Sequence, residues 1–117
     1  MRRRLLLFLF LPLTLMARDA GEQQRIDYLI NSLGSLKGAV FIRNGKEYDA
    51  PAACDHLRSK LNFAGDRVKT AEQFIKYCAT ESSMSHQPYK IRFADGAEKE
   101  TAAYFGDKLK EFDAKRR

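Results

Sequence analysis

His56 and Lys60 stand one helical turn apart in a run with a 3.6-residue apolar period, so their side chains leave one flank of a helix side by side. An imidazole beside an ammonium is raw material for two chemistries, holding an anion or moving a proton. Arg43 and Asn44 end the segment before that run and Tyr48 lies just ahead of its start, so a short connection keeps all three near its first turns. Arg43, Asn44, Tyr48, His56 and Lys60 are therefore the candidate binding residues. They make a basic rim with one aromatic group, suited to an anionic group because arginine can donate to two oxygens at once. Three of them also have a plain structural use: Arg43 pairing with Glu47, Asn44 making a turn, His56 capping a backbone carbonyl.

Signatures of catalysis are missing. The two histidines, His56 and His86, are thirty residues apart, and neither has a carboxylate or cysteine at ligand spacing, so no metal ligand is assigned. Cys54 and His56 are i, i+2 and point to different sides of a helix. There is no Gly-x-Ser-x-Gly, no phosphate-binding glycine loop and no dinucleotide fingerprint, so no catalytic residue is named and no cofactor is expected. Ser82, Ser83, Ser85 and His86 read as turn chemistry, because no third residue can be named to orient the histidine. Tyr89 and Phe93 read as core side chains before they read as a ligand cage. A thiol–disulfide enzyme is a poor fit without Cys-x-x-Cys. Two function classes stay open: a non-catalytic binding or interaction module of the cell envelope, and a hydrolase or transferase using His56 as general base. The second needs an Asp, Glu or Ser brought beside His56.

The elements that position these residues follow from periodicity. Ile26, Leu29, Ile30 and Leu33 predict a helix from about Ala20. Ala39–Arg43 is rich in strand formers, Asn44-Gly45 is a two-residue hairpin turn, and Lys46-Glu47-Tyr48 returns beside it. Asp49 caps a second helix with Pro51 in its first turn, and Ala53, Cys54, Leu57 and Leu61 on one face; it ends near Asn62 and Gly65. Thr70 and Gln73 form a capping box for a third helix with Ala71, Phe74, Ile75, Cys78 and Ala79 on its apolar stripe. Tyr89, Ile91 and Phe93 alternate with Lys90 and Arg92 in a strand, Asp95-Gly96 turns the chain, and the last helix runs from about Glu98 to Ala114. The expected fold is α+β, four helices over one side of a small three-stranded, mostly antiparallel sheet, in the order α-β-β-α-α-β-α.

Residues 1–17 read as a cleaved signal peptide. Arg2, Arg3 and Arg4 precede a twelve-residue apolar run, Leu5–Met16, too short for the ~20 residues that span a bilayer, and Ala17 supplies the small residue at the cut. No membrane anchor is expected after cleavage, and residues 18–117 make one domain in the periplasm. Removing three arginines and no acid lowers the net charge from +6 to +3. That charge is spread evenly, which argues against a nucleic-acid partner; an envelope protein or an anionic ligand is expected instead.

Two cysteines meet an oxidising compartment after export. In an antiparallel helix pair centred on residue 66, Cys54 faces Cys78, Leu57 faces Ile75 and Leu61 faces Ala71. This predicts a Cys54–Cys78 disulfide, with two buried thiols as the competing reading, since a half-turn of rotation would separate the pair.

Four segments together resemble the YfeK-type family of small exported bacterial proteins: Phe-Ile-Arg-Asn-Gly (41–45), His-Leu-Arg-Ser-Lys-Leu (56–61), Thr-Ala-Glu-Gln-Phe-Ile (70–75) and Ser-Ser-Met-Ser-His-Gln-Pro-Tyr-Lys-Ile (82–91). The similarity runs from about Arg25 to about Leu109. It implies a Gram-negative periplasmic protein with a domain of unknown function, and no activity. One position departs from the pattern: His86 stands where the family often has glycine.

Overall fold

The computed structural model describes residues 18–116; the expected signal peptide, residues 1–17, lies outside them. Helix α1, Ala20–Gly34, buries Ile26, Leu29, Ile30 and Leu33 along one stripe. Strand β1, Val40–Arg43, returns through Asn44-Gly45 into β2, Lys46–Tyr48. Both turn residues have positive φ, 54° and 77°, as a type I′ turn demands. Helix α2, Ala50–Ala64, begins where the Asp49 carboxylate accepts from the Ala52 amide at 2.9 Å, and Pro51 sits in the first turn with no helical hydrogen bond to lose. A 3-10 turn, Gly65–Arg67, leads to α3, Ala71–Cys78. The expected capping box opens it: the Gln73 amide donates to Thr70 Oγ1 at 3.1 Å, and Gln73 Oε1 accepts from the Thr70 amide at 3.2 Å.

The chain then forms β3, Lys90–Arg92, β4, Glu98–Glu100, and α4, Thr101–Lys115. The fold is α+β with four α-helices among the described residues, but the expectation of three strands is wrong. The sheet has four, in the order β2-β1-β3-β4, every neighbouring pair antiparallel. In the sequence Glu98-Lys99-Glu100 reads as the start of the last helix, since glutamate and lysine favour helices and the segment has no apolar alternation. The turn decides otherwise. Gly96 donates to the Phe93 carbonyl and Phe93 to the Ala97 carbonyl, both at 2.8 Å, so the chain folds back along β3. There the register sets Lys90 opposite Glu100 and Arg92 opposite Glu98, opposite charges that stabilise cross-strand pairing.

Phe41 and Ile91, paired across β1 and β3, point towards the helices and join Tyr89, Phe74 and Phe105 in one core. Burying a phenylalanine of this kind contributes ~1.5–3 kcal/mol. Helix α1 packs against α2, α3 and α4. Arg25 ties three of these helices by charge, reaching Glu22 on α1, Glu72 on α3 and Asp113 on α4, each at 2.9 Å. The margins of the sheet are β2 and β4, both short and carrying Lys46, Glu47, Glu98, Lys99 and Glu100.

The expected Cys54–Cys78 bridge is not formed: both cysteines are free thiols. Helix α2 packs more extensively on α1 than on α3, and Cys54 faces α1, its Sγ donating to the Ile30 carbonyl at 3.3 Å. Cys78 lies buried on α3. The pairing assumed a symmetric two-helix hairpin, and the 3-10 turn with its exit through Val68 breaks that symmetry.

Candidate functional site

Arg43 follows Phe41 by two residues and Tyr89 precedes Ile91 by two, so strand alternation puts all four side chains on the inner face of the sheet. Tyr48 joins them as the partner of Phe41 across the first hairpin. The flank of α2 that carries His56 and Lys60 lies over this row. Arg43 Nη1 is 3.4 Å from His56 Nδ1, His56 Nε2 is 3.0 Å from the Tyr89 hydroxyl, and Lys60 Nζ donates to that hydroxyl at 3.1 Å and to the Glu81 carbonyl at 3.3 Å. The Arg43 guanidinium sits 5.3 Å from the centre of the Tyr48 ring, and Lys60 Nζ 5.0 Å from that of Tyr89.

These contacts fix the protons. Arginine can only donate, so with Nδ1 accepting from Arg43 the neutral ring carries its proton on Nε2, which donates to Tyr89. The Tyr89 oxygen thus takes two donors. Burial, then the charges of Arg43 and Lys60, push the His56 imidazole down to about 4. A neutral imidazole with both nitrogens engaged and so low a pKa is a weak general base at neutral pH, although Ser59 and Ser83 line the same groove.

Arg43, Tyr48, His56 and Lys60 are neighbours in the structure: Arg43 reaches Tyr48 and His56, and Tyr89 joins His56 to Lys60. Asn44 does not join them: it makes the turn, and its Oδ1 accepts from the Ser85 hydroxyl. Arg43 does not pair with Glu47, which binds Arg92 at 2.6 Å instead. The serine segment is turn chemistry. Ser82 is buried, its hydroxyl accepts from the amides of Met84 and Ser85, and its carbonyl accepts from His86. His86 itself has φ 61°, the left-handed region where glycine is strain-free.

The His56 ring separates two cavities. A recess of about 220 Å³ holds Arg43, Tyr48 and Asp55 on one side. A groove of about 710 Å³ lies on the other, between α2 and α3. Its α2 wall is a single stripe, His56, Ser59, Lys60, Phe63, Ala64 and, in the 3-10 turn, Arg67; Tyr77, Cys78 and Ser83 close the other side. Lys60 and Arg67 are its charged members beside His56, and neither forms an ion pair among the described residues. Arg43, on the far side of His56, does not line this groove and serves to hold the imidazole.

Phe63, Arg67 and Tyr77 are functional candidates that the sequence does not single out, and Tyr89 reads there only as a core side chain. For Tyr89 a signal existed: a tyrosine on the buried face of a strand must find a partner for its hydroxyl. Among the described residues there is no group of three or more His, Cys, Asp or Glu that could hold a metal ion, and no helix long and apolar enough to cross a membrane.

Comparison with known proteins agrees with the resemblance read from the sequence. Residues 20–113 match the model of a family described as a family of unknown function, DUF5329. The chain is similar to the uncharacterized protein YfeK of Salmonella typhimurium, 41% identical over 71 residues that make up 61% of this chain. The match spans 59% of that relative's length. No solved structure matches.

Proposed function

The chain belongs to the DUF5329 family of unknown function, and from that premise we propose that it is a periplasmic, non-catalytic binding module that holds an anionic group in the groove between α2 and α3. One observation carries this reading: the charged side chains lining the groove are all basic, and Lys60 and Arg67 have no carboxylate partner among the described residues. Lys60 has given two of its three ammonium protons to Tyr89 and Glu81 and keeps one for a ligand. Its ammonium is held in place by those bonds, so little side-chain freedom is lost when an anion docks. Arg67 adds a second cation about two turns further along, beyond Phe63 and Ala64. Export by residues 1–17 supports the compartment, since their order of arginines, short apolar run and Ala17 is that of a signal peptidase substrate.

The test is a titration of the isotope-labelled mature domain with inorganic phosphate and with acetate, followed by amide chemical shifts. The expected result is saturable shifts confined to residues near Lys60 and Arg67, lost in Lys60→Gln. Shifts spread evenly over the surface, or unchanged in Lys60→Gln, would rule the site out.

A further inference from the structure

Resting on that anion site, the walls of the groove narrow the ligand class. The large apolar side chains exposed among the described residues are Phe63, 84% exposed, Tyr77, 52%, and Met84, 90%. Phe63 and Tyr77 line the groove, and Met84 is the chain neighbour of Ser83, which also lines it. Exposed aromatics elsewhere on a small domain are scattered; here they converge on one cleft, the pattern that marks a contact surface. Each aromatic is paired with a cation, Arg67 at 5.6 Å from the Phe63 ring centre and Lys76 at 5.5 Å from that of Tyr77, which fixes their planes.

Order along the groove matters as much as composition. Lys60 to Phe63 to Arg67 follows one stripe of α2 and the turn beyond it, over a rise of about 10 Å. Polar groups lie at the His56–Lys60 end, where the buried Tyr89 hydroxyl holds both side chains. Ala64, Phe63 and Tyr77 make the middle apolar, with buried Cys78 beneath. We infer that the groove takes a single-chain amphipathic anion, its carboxylate or phosphate head on Lys60 and its apolar chain lying between Phe63 and Tyr77. The cleft is of the size that suits a small organic ligand. Its basic lining selects a negative head over a zwitterionic or neutral one.

Decanoate below its micelle concentration, acetate and 1-decanol separate the contributions. Calorimetry on the mature domain should give decanoate tighter than acetate by about 100-fold or more, since burying even a few methylenes requires that much. Lys60→Gln should weaken decanoate by about tenfold, as loss of a charge-assisted bond does. Phe63→Ala, at an exposed position that does not carry the core, should weaken decanoate by a larger factor than acetate. Equal binding of decanoate and acetate, with the shifts at Lys60 retained, overturns the amphiphile and leaves the anion site standing. Binding of 1-decanol as tightly as decanoate overturns the charged head. A response to decanoate that survives Phe63→Ala and Tyr77→Ala together overturns the placement of the chain.

Discussion

The rings of His56 and Tyr89 meet edge to face, 81° apart with centres separated by 5.6 Å, and a hydrogen bond of 3.0 Å joins Nε2 to the phenolic oxygen. The tyrosine ring is simultaneously stacked on Phe41 at 5.1 Å, inside the core. One side chain thus joins the apolar interior to the polar end of the groove. Tyr89→Phe keeps the ring and removes the acceptor, leaving the His56 Nε2–H and Lys60 short of a partner. Stability should fall by about 1–3 kcal/mol, read from urea unfolding midpoints. An unchanged midpoint would mean that the hydroxyl holds nothing in place.

His56 makes stability depend on pH in a defined window. Its folded pKa, about 4, is below the unfolded value near 6.5, so the unfolded chain takes up the proton first as pH drops. The groups facing the ring are Arg43 from β1, Lys60 from its own helix, and Tyr89 and Phe41 from the sheet. Stability should decline from about pH 6.5 to about pH 4, with no further loss from this residue below that. Carboxylates titrate in the same region, so the comparison is between wild type and His56→Gln, which should show a shallower decline. Parallel curves for the two proteins would contradict the assignment.

Arg25 is the second polar hub, 18% exposed and shared by three carboxylates. Their bonds hold its guanidinium pKa above its usual value and hold Glu72 below the usual carboxylate range. Glu22 has a second task, accepting from the Ala71 amide at the start of α3 at 2.9 Å. Arg25→Met removes the cation and leaves Glu22, Glu72 and Asp113 facing one another. A loss of about 1–3 kcal/mol is expected, the partial exposure keeping it below that of a fully buried pair. The deficit should shrink at high salt, which screens the repulsion. A deficit independent of salt would assign the effect to packing.

His86 is a non-glycine residue at φ 61°. Its contact with Glu81, at 2.8 Å, involves an imidazole side chain 73% exposed and contributes little. His86→Gly should therefore raise stability by about 1 kcal/mol through relief of backbone strain, measured as a higher melting temperature. A lower one would show that the imidazole contact outweighs the strain.

How far the chain could be read without coordinates varied with the kind of information needed. Local chemistry was legible: Asp49, Pro51, Asn44-Gly45 and the Thr70–Gln73 box each mark an element end by satisfying a specific backbone group, and each does so in the structure. The meeting of Arg43, His56 and Lys60 was legible too, because a short connection and a helical turn leave few alternatives. What failed depended on how elements rotate against one another. The thiol pairing needed the angle of α2 about its axis, which α1 sets. Strand β4 is held by pairing to Lys90 and Arg92 and by the turn before it, and its own Glu-Lys-Glu sequence points to helix. Phe63 and Tyr77 lie on the outer faces of two different helices, and only tertiary packing makes them walls of one groove.

The outer strands of the sheet bear on how the protein behaves among copies of itself. An exposed strand edge is a template on which another chain can add, the first step of amyloid growth. Here each margin is three residues long, and a strand laid against β4 would run beside Glu98, Lys99 and Glu100, stripping water from charges it could not match. Strand β2 offers Lys46 and Glu47 in the same way. The sheet is thereby capped at four strands, and a crowded solution of this domain is protected from edge-to-edge aggregation by the same charged triplet that disguised β4 as a helix.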